Sequence, residues 1–270
     1  MSAPSGPGLH RRRFLLSGGS ALLGGAGLLL SGCDRASEAP AFRDLLGRAE
    51  GLTRTSQRLL QGRSALAREF AAADISPEFK ANGTIEPDTD IYAALLDNGF
   101  ADWRLQIDGL VDRPAALSLA ELRSLPSRTQ ITRHDCVEGW SAIGKWTGVP
   151  LGLLLKSAGL KPNARYAVFH CADDLDGEAG KGGEQSPGLY YESIDLIDAF
   201  HPQTILAYDM NDAPLPVAHG APLRLRVERQ LGYKHAKYLM RIEIAERLDH
   251  LGRGKGGYWE DRGYEWYAGI

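Results

Sequence analysis

The chain has 270 residues and a formal net charge of −3, so no basic surplus suggests a nucleic-acid partner. A content of 43% hydrophobic residues with 32 glycines and 14 prolines describes a loop-rich globular protein of one large domain or two small ones. Three cysteines are too few for a zinc cage or iron–sulfur cluster built mainly from thiolates, which takes about four ligands.

Residues 10–33 begin with His10-Arg11-Arg12-Arg13-Phe14-Leu15, continue as a Gly/Ala/Leu run and end at Leu30-Ser31-Gly32-Cys33. A basic stretch before a short apolar run is an export signal. Its arginines resemble the twin-arginine pattern of a route that carries folded proteins, although His10 stands where Ser or Thr is usual. Leu-Ser-Gly-Cys resembles a lipoprotein cleavage box with Cys33 as the acylated residue. Without residues 1–33 the chain keeps 28 basic and 34 acidic side chains. The expected location is the periplasm or cell envelope, with Cys33 as the site of a lipid anchor.

Residues 34–78 read as a short polar tether followed by one or two amphipathic helices over 41–72. Phe42, Leu45, Leu46, Ala49, Leu52, Leu59, Leu60, Leu66 and Phe70 recur there at helical spacing. From 79 to 270 the pattern is α+β with a mixed sheet. Strands are expected at 104–108, 130–134, 166–171, 204–208, 223–227 and 241–244. Helices are expected at 119–125 and 150–158, the latter capped by Gly159. No phosphate-cradling Gly-x-Gly-x-x-Gly follows any strand. The acidic stretch Asp173, Asp174, Asp176, Glu178 lacks the spacing of a calcium loop and reads as solvated. Lys145 reads as a surface lysine.

Cys136 lies between the strand ending at His134 and a Gly/Trp-rich loop, Val137-Glu138-Gly139-Trp140-Ser141. As one of two cysteines left after the signal, it has three readings. It is a buried structural thiol, a catalytic nucleophile, or the single protein ligand of a metal held mainly by something else. No disulfide with Cys171 is expected. A second cluster, Pro216-Val217-Ala218-His219-Gly220-Ala221-Pro222-Leu223-Arg224-Leu225-Arg226, leads on to Gly232-Tyr233-Lys234-His235-Ala236-Lys237. Arg and Lys donors beside glycine-freed amides suit an anionic phosphate. The tail, Gly256 to Tyr267, is dense in aromatic residues.

Together these segments resemble the sulfite oxidase superfamily of molybdopterin-dependent oxidoreductases, and within it the bacterial protein-methionine-sulfoxide reductase branch. There Cys-Val-Glu-x-Trp-Ser surrounds the metal thiolate. The resemblance runs from about residue 79 to 270 and implies the sulfite-oxidase-type molybdopterin-binding fold. It implies that Cys136 ligates molybdenum and that Asn82, Gly83, Thr84, His219, Arg224, His235, Ala236 and Lys237 hold the molybdopterin. Cys171 stands where the branch has a cofactor-contacting Thr; pterin contact and inert packing both remain open for it. Tyr264 matches the tyrosine beside the metal oxo group, where a phenol can hydrogen-bond or shuttle a proton. Ala81 replaces an Arg that holds sulfite in the sulfite-oxidising branch. The expected activity is therefore oxygen-atom transfer at sulfur in the reductive direction, on a small-molecule or protein-bound sulfoxide. Electrons are expected from a separate membrane or periplasmic haem protein, and the chain is expected to be monomeric. A sulfite dehydrogenase feeding a cytochrome is the enzymatic alternative. A metal-free binding lipoprotein is the alternative of another class.

Overall fold

The computed structural model describes residues 51–59, 62–177 and 188–270. The segments expected to be an export signal and a tether, with Cys33, lie outside the described residues, as do residues 41–50 and Glu178. The chain divides into two compact units, Met1–Ser56 and Gln57–Ile270. Within the first, the hydroxyls of Thr55 and Ser56 back-bond to the carbonyls of Gly51 and Leu52.

Among the described residues the second unit contains two five-stranded sheets. The first sheet runs in the order β2 (Ala115–Ser118), β1 (Arg104–Gly109), β10 (Leu239–Ala245), β5 (Tyr166–Asp174), β6 (Leu189–Asp195). It is mixed: β1 pairs parallel with β10, in register Ile107 to Ile242, and the other pairs are antiparallel. The second sheet joins β3 (Arg128–Asp135), β4 (Ser141–Pro150), β7 (Ile205–Met210) and β8 (Ala213–Pro214), with β9 (Arg224–Arg226) also on β7; all its pairs are antiparallel. The α+β expectation with a mixed sheet holds.

Among the described residues the helices are short; beyond the helical stretch at 51–59 they are α1 (Asp90–Asp97), α2 (Leu119–Ser124), α3 (Leu151–Ala158) and α4 (Leu196–Ala199). Helix α2 starts at a reciprocal cap between Ser118 and Glu121, which satisfies two otherwise orphaned amides. Helix α3 buries Leu151, Leu154, Leu155 and Ala158, a stripe at helical spacing, and stops at Gly159 with φ +70°. That stripe packs in one core with Leu105 and Ile107 of β1, Phe169 of β5, Ile242 and Ile244 of β10, and Leu206 and Leu225 of the second sheet.

The helical expectation over 41–72 is corrected at its C-terminal end. Residues 51–59 are helical, but 62–70 are not. Gln203 there substitutes for a neighbouring strand. Its side chain accepts from the Ala67 amide at 2.8 Å and donates to the Ala67 carbonyl at 3.0 Å. Glu69 then bridges Thr132 antiparallel, and the Phe70 amide donates to Ile131 O at 2.9 Å. These tertiary bonds outweigh the weak local preference for helix.

Two further readings change. The Gly/Trp-rich loop is only a tight turn after Cys136, and β4 begins at Ser141. The acidic stretch is not simply solvated. Asp173 is buried at the end of β5, and Asp176 accepts from Tyr258 Oη and Arg262 Nη2, each at 2.6 Å. Lys145 pairs with exposed Asp212 at 2.6 Å and keeps its surface reading.

Candidate active site

Strand β3 delivers Cys136 at its end. The following turn is closed by Cys136 N donating to Trp140 O at 2.9 Å and Gly139 N donating to Cys136 O at 3.0 Å; Gly139 has φ +85°. The thiol is 7% exposed. Burial pushes its pKa up, while backbone hydrogen bonds from Glu138 and Val137 and the charge of Lys80 favour the thiolate. Outside the turn, Glu138 accepts from Trp140 Nε1 at 2.9 Å and pairs with Lys80 at 3.1 Å. Asn82 approaches from its own loop, with Nδ2 4.0 Å from Cys136 Sγ. Cys136 and Cys171 are both free thiols, as expected.

Lys237 holds the Asn82 loop in place. Its ammonium donates to Asn82 O at 2.8 Å, to Thr84 O, and to Ala218 O at 3.3 Å. Tyr238 Oη adds a bond to Thr84 O at 2.8 Å. Three carbonyls match the three donors of an ammonium. Lys237 therefore acts first as a tie between the Asn82–Thr84 loop and the segment carrying His219. Gly83, between the two tied carbonyls, has φ +61°. Gly220 permits the close approach, because a Cβ there would stand 2.8 Å from Lys237 Cβ and its φ is +108°.

Arg224 is a similar tie, set deeper in the fold. It donates to His219 O at 2.9 Å and His235 O at 3.3 Å, and its guanidinium lies 5.0 Å from the Trp146 ring. The adjacent Ala236 is buried, and its carbonyl accepts from Leu225 N at 2.8 Å. The sequence-predicted residues Asn82, Gly83, Thr84, Cys136, His219, Arg224, His235, Ala236 and Lys237 thus converge from separate segments. Cys171 is buried in the main core, and burial pushes its thiol far up, with Asp173 and Glu192 adding to it.

Several contributors escaped the sequence reading. Strand β3 buries Gln130, Thr132 and His134, and β9 buries Arg226. Arg226 donates to Glu228 through Nε and Nη2 at 2.9 and 2.6 Å and meets His134 Nδ1 at 3.0 Å. Gln130 also donates to Glu228, at 2.8 Å. A polar seam therefore runs beneath the Cys136 turn. The available signal was the Arg226-x-Glu228 spacing, which brings an acidic side chain just past the strand end back towards Arg226.

Electrostatics at this site favour an anion. Burial lowers the Arg224 pKa to about 9 and the Lys237 pKa to about 8, with neighbouring cations adding to both shifts. His219 falls to about 4 through burial, Arg224 and Lys237, and His235 is pushed far down by burial and Arg226. Four polar atoms of this cluster have no hydrogen-bond partner among the described residues: His134 Nε2, Trp146 Nε1, Arg224 Nε and His235 Nδ1. Orphaned buried polar groups with surplus positive charge beside a buried free thiol fit an anionic, acceptor-rich cofactor.

A family profile described as the oxidoreductase molybdopterin binding domain matches residues 93–250. The chain belongs to this family, within the sulfite oxidase superfamily. The match begins after the Asn82 loop and ends before Tyr264. The chain is 43% identical over 169 residues to a putative protein-methionine-sulfoxide reductase subunit YedZ1 of Azospira oryzae, covering 63% of this chain and 56% of that protein. It is 36% identical to the protein-methionine-sulfoxide reductase catalytic subunit MsrP of Xanthomonas axonopodis pv. citri, covering 59% and 50%. The chain thus spans about half the length of the curated relatives it matches. Among solved structures, the sulfane dehydrogenase SoxCD from Paracoccus pantotrophus matches with 26% identity and a TM-score of 0.47, over 54% of this chain and 39% of that one.

Tyr264, beyond the matched residues, is 41% exposed and stacks on Trp259 with ring centroids 5.3 Å apart. It lines a cleft of 480 Å³ together with Val137, Leu231, Tyr233, Tyr267 and Ala268. Val137 follows Cys136 directly, so an open aromatic cleft lies at the edge of the thiol turn.

Proposed function

We propose that this protein is a cell-envelope molybdopterin oxidoreductase that reduces a sulfoxide to a thioether. The half-reaction takes two electrons and two protons and releases water. Molybdopterin supplies the two-electron redox centre. Cys136 would ligate its metal. Arg224, His219, the Asn82–Thr84 loop and His235–Lys237 would hold its anionic portion.

The observation that carries the reductive direction is the lining of the cleft beside Val137. Among the described residues it contains no basic residue, and Glu265 is its one charged side chain. A small sulfur oxyanion needs a cation to offset its desolvation, whereas a neutral sulfoxide does not. Ala81 adds no charge next to Asn82. The chain's own role is to line the cleft with Tyr233, Tyr264 and Tyr267 and to offer the Tyr264 phenol to the substrate. That O–H can donate to a sulfoxide oxygen and move a proton towards it. The names of the relatives support a sulfoxide carried on a protein methionine. Electrons are assigned to a separate haem-bearing membrane or periplasmic partner, in keeping with an export signal in residues 1–33. The chain is assigned as a monomer.

The test compares kcat/KM for sulfoxide reduction, with a chemical donor, against sulfite oxidation, with a chemical acceptor, on protein of known molybdenum content. Sulfoxide should be the better substrate. Ala81→Arg should improve sulfite by about thirtyfold, the value of one charge-assisted contact of roughly 2 kcal/mol. A wild type that oxidises sulfite and ignores sulfoxides would instead be a sulfite dehydrogenase.

A further inference from the structure

Lys234 is wholly buried between two carboxylates. Its Nζ lies 2.5 Å from Glu192 Oε1 on β6 and 2.5 Å from Glu260 Oε1 in the turn Glu260–Arg262. Buried ion pairs are costly to desolvate and seldom add net stability. A buried ammonium with one carboxylate too many therefore points to a role in specifying geometry. What it joins indicates that role. Lys234 ends the turn Gly232–Lys234, directly ahead of His235–Lys237 on the cofactor side. Glu260 opens the turn that precedes Tyr264, a wall of the cleft.

Neighbouring contacts run the same way. Tyr233 Oη donates to Glu265 O at 2.6 Å, and its ring meets Tyr264 edge-on at 5.2 Å. The Lys234 ammonium lies 5.4 Å from the Trp266 ring. Trp266 Nε1 donates to Ser193 Oγ at 2.8 Å, next to Glu192. The segment is packed without slack, since a Cβ on Gly257 would stand 1.9 Å from Glu260 Oε2.

We infer that Lys234 and Glu260 are positioning residues of the substrate cleft: their buried pair locks the Glu260–Arg262 turn to the cofactor-side loop and so fixes Tyr264 opposite Val137. The motif Gly232-Tyr233-Lys234-His235-Ala236-Lys237 is then two-sided. Its first half holds the wall that faces substrate, and its second half holds the loops that face cofactor. This role rests on the reading that the cleft receives the substrate.

Glu260→Ala tests it without emptying the site of charge balance, because Lys234 and Glu192 remain as a matched pair. Glu260→Gln keeps an oxygen for the ammonium. Three quantities are measured on purified protein: molybdenum and pterin per chain, the rate of trypsin cleavage after Arg262, and KM and kcat for a small sulfoxide. Glu260→Ala should keep wild-type cofactor content. Its tail should be cut about tenfold faster, the effect expected of one lost charge-assisted bond. KM should rise about three- to tenfold as the cleft wall loosens, with Glu260→Gln between the two. Cofactor loss at an unchanged cleavage rate would assign the triad to the cofactor loop and overturn the clamp. Equal cleavage and equal KM in all three proteins would also overturn it. If the wild type reduces no sulfoxide, the proposed reaction fails, and the cleavage rates still decide the clamp.

Discussion

At the scale of single residues, Cys136 and Arg224 would divide the labour of holding the proposed cofactor. Cys136 offers a soft sulfur at the end of β3; burial pushes its pKa up, and backbone hydrogen bonds from Glu138 and Val137 offset part of that. Serine there would present a harder and mostly protonated oxygen. Cys136→Ser should therefore abolish turnover while leaving the melting temperature of the cofactor-free chain within about 2 °C, since the thiol makes no strong bond to the fold. Residual turnover within a few-fold of wild type would remove Cys136 from the metal. Arg224 is different, because it has two jobs. It bonds the carbonyls of His219 and His235, and its Nε stays orphaned beside the cluster. Arg224→Ala should lose both the loop tie and a charged contact worth roughly 1.5–3 kcal/mol. Pterin content, read by fluorescence after oxidation, should be substoichiometric. Full occupancy would show that the guanidinium serves only the loops.

Elements show why some of this molecule was legible in the sequence and some was not. Strand β1 alternates as an amphipathic strand should, with Leu105 and Ile107 buried between exposed neighbours, and it stands where its pattern placed it. Strand β3 breaks the same rule. Its buried face is Gln130, Thr132 and His134, because Arg226 and Glu228 face it from β9 and the loop after it. A hydrophobic pattern cannot reveal a face whose partners are polar and nearly a hundred residues away. The motif residues were legible because their chemistry is local: a lone thiol, an Arg strand, a Gly-Tyr-Lys-His-Ala-Lys loop. The ties among them were not, since Lys237 reaches the carbonyls of Asn82, Thr84 and Ala218 only in three dimensions. Gly232 offers a test at this scale. A Cβ there would stand 2.5 Å from His134 Nε2 and 3.2 Å from Asp135 O, so the loop and the Cys136 strand touch through a missing side chain. Gly232→Ala should cost about 1–3 kcal/mol in urea unfolding through overpacking. Adding His134→Ala should recover some of that cost in a double-mutant cycle. Simple additivity would mean that the two segments are not in contact.

At the scale of the whole molecule, the buried histidines set how the protein meets acid. His134, His201, His219 and His235 are all held below the ordinary histidine range, burial being the largest cause in each, with nearby arginines adding to it. For each, the unfolded chain takes up a proton near pH 6.5 while the folded chain resists it; His219 resists to about pH 4. Their contribution is thus fully present above about pH 6.5 and is lost as the pH falls through that value, at about 1.4 kcal/mol per pH unit for each histidine. Asp173 and Glu192 act in the opposite sense. Burial raises both, Asp173 to about 7, so the folded chain binds their protons first and gains stability over the same descent. The histidines outnumber the carboxyl groups, so stability falls on balance as the pH drops below about 6.5. The cofactor-free protein should therefore melt progressively lower from pH 7 to pH 5. An anionic cofactor among Arg224, Lys237, His219 and His235 would offset the charges that hold those two histidines neutral, and the loaded protein should show a shallower fall. Melting curves of both forms at pH 7, 6 and 5 measure this. Parallel slopes in the two forms would place the bound anion away from these histidines and overturn the cofactor assignment of the His219 and His235 segments.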